Sequence, residues 1–190
     1  TPQAVLADLK RRLAAEPNVQ IHTGAHVRAA TGRLGAFRSE VETGQGLVEV
    51  LHGAVVLATG AAEQKPKTYG YGESKRVVTQ RELETLLADG SFQAKRVAMI
   101  QCVESREEAE GCRPWCSRVC CTQAVKNALK VLEVQPDAEV TVLYRDLRAY
   151  GAFEHFYREA RDKGVLFTAY ELARRPAVKV GGDGVAVSFF

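Results

Sequence analysis

The sequence predicts an α/β fold built around a parallel sheet, and two observations lead there. From Thr79 onward the pattern reads helix, strand, helix, strand, helix, strand, an alternation that right-handed crossovers fold into parallel strands. Upstream, Ala54–Ala58 is a continuous apolar run, the mark of a strand buried on both faces. A third observation places the chemistry. All five cysteines fall within "QCVESREEAEGCRPWCSRVCC", residues 101–121.

Each element has its own reason. "TPQAVLADLKRRLAAEP" opens with Pro2 at a first-turn position and carries Val5, Leu6, Leu9 and Leu13 at helical spacing, so a helix is expected. "NVQIHTGAHVRAA" reads as strand, and "GAFRSEVETGQGLVEVLHGAVVLATG" as two or three strands broken at Gly44 and Gly46. The last of these stops at Thr59–Gly60, where the chain can turn tightly. Residues 61–78, rich in Gly, Lys and Pro, form a connection and a domain boundary. "TQRELETLLADG" predicts a helix with a capping box, Thr79 capping and Glu82 reaching back, closed by Gly90. "KRVAMIQC", "AEVTVLYRD" and "VLFTAYE" are expected strands, separated by the helices "CSRVCCTQAVKNALKVLEVQP" and "AFEHFYREARDKG". "PAVKVGGDGVAVSF" reads as a hairpin turning at Gly182–Asp183–Gly184.

Composition excludes several classes. The 190 residues are 46% hydrophobic and 26% charged, ordinary for a globular chain. A net charge of +3 is too small to argue for nucleic acid. No apolar run approaches the roughly 20 residues of a membrane span, and no signal-peptide pattern opens the chain. The first residue is Thr1 rather than Met, so a fragment or processed product is expected. Residues 1–101 and 122–190 contain no cysteine. A secreted disulfide framework would spread its bridges, so the clustering favours a reducing, cytoplasmic setting and a local metal or redox site.

The cysteine spacing specifies that site further. If Cys116, Cys120 and Cys121 open a helix, the spacing of four puts Cys116 and Cys120 on one face, with Cys121 turned about 100° onward. The helix amino end lowers thiol pKa. Cys102 ends the preceding strand, and in a strand–loop–helix unit that end lies beside the helix start. Four thiolates then converge, the ligand set of an iron–sulfur cluster or of structural zinc. Adjacent ligands suit the separated corners of a [4Fe–4S] cluster better than the spaced pairs of zinc. Inert, packed cysteines remain the third alternative. Cys112, flanked by Gly111 and Arg113–Pro114, is expected on the loop and outside the ligand set. The loop also stands where a dinucleotide-binding unit carries G-x-G-x-x-G, so nicotinamide binding here is not expected.

The segments "VAMIQCVESRE", "CSRVCC", "AVKNALK", "DAEVTVLYRDLRAYG" and "FYREARDKGVLF", with "GAVVLATG" and "YGYGESKRVVTQRELE" upstream, resemble the flavoprotein A-subunit of heterodisulfide reductase. The resemblance covers about residues 20 to 178. It implies a Rossmann-like, thioredoxin-reductase-like fold with bound FAD and a nearby [4Fe–4S] cluster, relaying electrons to iron–sulfur carriers of a larger redox complex. It further implies that residues 1–65 are the carboxyl-terminal part of an FAD-binding-type domain ending in a β-meander, 66–80 a linker, and 81–190 an NAD-domain-like unit. On the same basis Cys102, Cys116, Cys120 and Cys121 match the cluster ligands. Lys126 matches the lysine near the flavin ring, and Ala58, Thr59 and Gly60 match the turn that closes on FAD. The amino-terminal FAD fingerprint and the motifs of other clusters are not in this sequence, so a central fragment is expected, inactive alone, with FAD held in the full-length protein. A homodimer is compatible with this picture.

Other residues read plainly. His22, His26, His52 and His155 are scattered without ligand spacing. Arg106, Arg113 and Arg118 surround the cysteine loop, either as charge compensation for a cluster or as surface arginines. A zinc-stapled assembly domain is the alternative from another class. A pyridine-nucleotide disulfide oxidoreductase using Cys120–Cys121 is the third, disfavoured because a vicinal disulfide strains the backbone.

Overall fold

A computed structural model describes residues 2–182 and 184–189. The chain divides after Ala61 into two compact units. In the first, α1 (Pro2–Ala15) precedes an antiparallel meander of β1 (His26–Arg33), β2 (Ala36–Thr43) and β3 (Gly46–His52), in that spatial order. Two-residue turns close both hairpins, pairing Arg33 with Ala36 and Thr43 with Gly46. Thr43 Oγ1 donates to the Gly46 carbonyl at 2.9 Å and secures the second turn. Gly32 has φ +103, and a Cβ there would stand 2.2 Å from the Ala36 carbonyl oxygen, so only glycine fits beside that turn. Inside the meander, buried Ser39 bonds His52 Nε2 at 2.8 Å, and His52 Nδ1 lies 3.0 Å from the Ala54 carbonyl. Those two bonds satisfy the Ser39 hydroxyl and both ring nitrogens.

Two strand expectations fail in this unit. Strand begins only at His26, because Thr23–Gly24 turns the chain with Gly24 at φ +61. The apolar run Ala54–Ala58 forms no strand, and Val56 and Leu57 are 90% and 84% exposed. A strand needs a neighbour for its N–H and C=O groups. Beyond β3, no strand among the described residues pairs with this run. The apolar face of α1 is likewise open, with Val5, Leu6, Leu9 and Leu13 all exposed.

The second unit carries the parallel sheet, in the order β4 (Arg96–Ile100), β5 (Glu139–Tyr144), β6 (Leu166–Ala169). Helix α3 (Cys120–Val134) crosses from β4 to β5 and α4 (Glu154–Asp162) from β5 to β6, with a single 3-10 turn before α4. Helix α2 (Gln80–Ala88) packs on α3. The expected capping box is present: Thr79 accepts from Glu82 N–H, and the Glu82 carboxylate accepts from Thr79 N–H at 2.8 Å. Gly90 ends the helix at φ +78. The hairpin is β7 (Ala177–Gly181) with β8 (Gly184–Ser188). Gly181 pairs with Gly184, and Asp183 of the expected turn lies outside the described residues. Val125, Ala128 and Val131 of α3, Val142 of β5 and Ala160 of α4 form the centre of the core. Leu143 is also fully buried. The mixed α/β expectation with a parallel sheet is met.

Two outcomes follow from this packing. Leu143→Ala should cost about 3 kcal/mol of unfolding free energy, in the range for a buried leucine. Val56→Ala should stay within about 0.5 kcal/mol. Urea unfolding followed by circular dichroism checks both, and equal effects would contradict the burial assigned here. Glu82 accepts from Lys65 at 2.6 Å, Tyr71 at 2.8 Å and Thr79 N–H, and Lys65 first among these holds its carboxyl down at about 2. A depressed carboxyl adds stability that is fully present above its ordinary value of 4.5 and is lost as pH falls toward 2. The stability gap between wild type and Glu82→Gln should therefore be wide at about pH 7 and close at about pH 2. A gap that widens on acidification would rule this out.

Candidate functional site

The loop leaving β4 is fixed before it reaches the first thiol. Gln101 N–H donates to the Leu143 carbonyl at 2.8 Å, and Tyr170 Oη donates to the Gln101 carbonyl at 2.6 Å. Then Cys102, Glu104 and Arg106 adopt φ of 58°, 49° and 63°. Each side-chain-bearing residue in that left-handed region costs about 1–3 kcal/mol, so the surroundings must impose the shape. They do so from several sides. Arg113 N–H donates to the Glu104 carbonyl at 2.9 Å, and Glu107 N–H to the Arg113 carbonyl at 3.2 Å. Ser105 Oγ donates to the Trp115 carbonyl at 2.9 Å. The Glu104 carboxylate accepts from Lys67 N–H at 2.6 Å and Gln64 at 3.1 Å. From the carboxyl end of β5, Arg145 donates to the Arg106 and Ser105 carbonyls at 3.2 and 3.4 Å. Buried Glu107 anchors Arg175 at 2.7 Å and lies 4.0 Å from Arg145.

Two of the four expected ligands reach the same residue, Asp146, Cys102 through Arg106 and Cys121 directly. Cys102 is buried at the loop start, and Cys121 is buried on the same face of α3 as Ala124, Val125 and Ala128. The Cys121 thiol bonds Cys120, which pushes the Cys120 thiol down toward thiolate, aided by the Ser117 hydroxyl and first-turn N–H groups. That bond and burial push Cys121 up. Burial pushes Cys102 up, opposed by a hydrogen bond from Arg106, and charge on Cys120 acts on both other thiols. Cys121 Sγ also lies 3.7 Å from the Asp146 carbonyl.

Cys116 lies outside α3, which corrects the expectation that it opens the helix. Helix α3 starts at Cys120, and Arg118 has φ +61, which no right-handed helix accommodates. Cys116 and Cys120 therefore do not share a helix face. Cys116 Sγ instead accepts from Arg118 N–H at 3.3 Å. Cys112 lies on the loop, its Sγ 3.9 Å from Glu107 Oε2. Among the described residues, no three or more His, Cys, Asp or Glu side chains converge as a metal cage.

The expected flavin residues are placed separately. Lys126 sits on the exposed side of α3, about 140° around from Cys121, and pairs with Glu84 of α2. Ala58, Thr59 and Gly60 are exposed in irregular chain of the first unit, with Gly60 at φ +64 and open space where a Cβ would stand. Sequence reasoning missed Glu107, Arg145, Asp146, Tyr170 and Arg175. The one local signal was charged Arg145–Asp146 directly after the apolar run of β5.

A sulfur-bearing loop between the first parallel strand and its helix defines an α/β unit with thiols where such folds otherwise cradle a dinucleotide pyrophosphate. Comparison with known proteins agrees with the resemblance. The chain is 36% identical, over 64% of its length, to the A-subunit of ferredoxin:CoB-CoM heterodisulfide reductase of Methanosarcina acetivorans. It is 40% identical, over 63%, to the A-subunit of H(2):CoB-CoM heterodisulfide,ferredoxin reductase of Methanothermobacter thermautotrophicus. It is 36% identical, over 60%, to an iron-sulfur A-subunit of CoB--CoM heterodisulfide reductase of Methanopyrus kandleri. These relatives are named as oxidoreductase subunits, and the chain matches a fragment of them, spanning about a fifth of their length. No family model matches.

Glu107 is the buried anion that neutralises Arg175 and Arg145 and fixes the loop. Glu107→Gln should cost about 2 kcal/mol, the range for a hydrogen bond to a charged group, because Arg175 is half exposed. Amide exchange across residues 102–113 should rise with it. Unchanged exchange there would show that the loop is held by other contacts.

Proposed function

We propose that the second unit is an electron-transfer segment holding a [4Fe–4S] cluster through Cys102, Cys116, Cys120 and Cys121, within an oxidoreductase similar to the heterodisulfide reductase A-subunit. The observation that best supports this is that Cys102 at a strand end and Cys121 at a helix start meet through Asp146, which binds the Arg106 guanidinium beside Cys102 Sγ and lies 3.7 Å from Cys121 Sγ through its carbonyl. The donor set is all sulfur, which suits iron–sulfur chemistry. The buried Gln101 Nε2, one residue before Cys102, has no partner among the described residues and is a donor that an anionic cluster would satisfy. When bound, the cluster supplies one-electron chemistry. The chain's residues supply thiolates, a fixed backbone at Cys102 and the N–H groups of the α3 amino end. Cys116 would join the other three from its present place on the loop.

The remaining assignments belong to the full-length protein. Residues 1–65 would complete an FAD-binding-type domain in a thioredoxin-reductase-like arrangement, with Ala58, Thr59 and Gly60 at the cofactor and Lys126 near the flavin. Residues 66–80 would link it to an NAD-domain-like unit. Its partners would be other iron–sulfur subunits of a redox complex in the cytoplasm. No helix among the described residues is long and apolar enough to cross a membrane.

Serine variants test the ligand set. Cys102→Ser, Cys116→Ser, Cys120→Ser and Cys121→Ser should each lose most of the iron and the reduced EPR signal after anaerobic purification. Cys112→Ser should keep both, because its thiol faces Glu107. Loss in Cys112→Ser with retention in Cys102→Ser would reassign the fourth ligand. Zinc in place of iron and sulfide would favour the assembly-domain alternative.

A further inference from the structure

Three arginines flank the cysteine loop, and the structure separates them. Arg113 and Arg118 are exposed, and Arg118 reaches sulfur only through its backbone N–H. Arg106 alone among them directs its guanidinium at a thiol. Its Nη1 lies 3.9 Å from Cys102 Sγ, and its Nη2 donates to Asp146 Oδ2 at 2.6 Å. The arginine side chain is 20% exposed while that of Asp146 is 57% exposed, so the cation is the more dehydrated partner. The backbone at Arg106 is fixed as well, by φ +63 and by Arg145 on its carbonyl. Asp146 touches both ends of the sulfur group, through its carboxylate to Arg106 and through its carbonyl to Cys121 Sγ. Arg148, 3.7 Å from Asp146, shares that carboxylate and leaves Arg106 less fully neutralised.

We propose that Arg106 sets the reduction potential of the sulfur site through Cys102, with Asp146 holding its guanidinium in place. This rests on the cluster ligation proposed above. The site gains one electron from a one-electron donor, with no bond made or broken and no proton taken up. A fixed cation beside a ligand sulfur favours the state that carries the extra negative charge, and its effect grows as water is excluded. A guanidinium does not deprotonate, so the bias is permanent across the working pH range. Hydrogen bonding to the sulfur acts in the same direction.

The test uses the intact, anaerobically purified protein as wild type, Arg106→Gln and Arg106→Lys. Iron and sulfide are assayed first, and dithionite titrations followed by EPR then give the midpoint potential. Arg106→Gln should keep wild-type iron and lower the one-electron reduction equilibrium constant about tenfold, which is about 59 mV. Arg106→Lys, which keeps the charge without the fork, should fall between the two. A wild-type potential in Arg106→Gln at full iron overturns the proposal. So does loss of iron in both variants, which would assign Arg106 to holding the loop. If only Arg106→Gln loses iron, Arg106→Lys decides: a lowered potential supports the proposal and an unchanged one overturns it. Wild type without iron and sulfide sinks the cluster reading itself, before either variant is considered.

Discussion

The second unit depends on the alternating left-handed backbone that follows β4. Cys102, Glu104 and Arg106 have no glycine's freedom, yet each has positive φ. The strain persists only because Arg145, Arg113, Ser105 and buried Glu107 bind the loop from different sides. The parallel pairing of β4 with β5 is what brings these groups together. It sets Ile100 against Leu143, so Arg145 and Asp146 emerge beside the residues that leave β4. The result is a thiol held at a fixed point next to a helix start.

That helix divides its labour by face. Positions 121, 124, 125 and 128 turn toward the core, which buries Cys121 and aims it at the Asp146 carbonyl. Cys120, one residue earlier, remains partly exposed at the first turn, where the hydrogen bond from Cys121 pushes its thiol pKa down. A glycine-rich loop at the same place would present backbone N–H groups to a pyrophosphate. Here the loop is fixed by side chains, and what it presents is sulfur and one guanidinium. The α/β frame is compatible with either ligand, so the loop residues carry the functional distinction.

The first unit shows a different balance. Its meander pairs β2 on both sides and holds the buried Ser39–His52 bond, while α1 and the run Ala54–Leu57 leave apolar side chains in solvent. The apolar run has no ladder partner among the described residues. Its exposure is therefore a matter of available neighbours rather than of composition.

What the sequence determined by itself was the set of locally encoded features. The Thr79–Glu82 capping box, the alternation of strands and helices, the hairpin glycines and the thiols at a strand end and a helix start are all written in adjacent residues. So was the likeness to a fragment of the heterodisulfide reductase A-subunit, carried by motifs such as "CSRVCC". The tertiary structure decided whatever needed a distant partner. Ala54–Ala58 looked like a buried strand because burial was inferred from apolarity, but a strand also needs a neighbour. Cys116 looked helical by spacing, and the positive φ of Arg118 removed it from the helix. Glu107 with Arg175, and Arg106 with Asp146, are separated by 68 and 40 positions. No local pattern links charges so far apart. The crossover that makes the sheet parallel puts them in contact, and with them the guanidinium of Arg106 that faces a thiol.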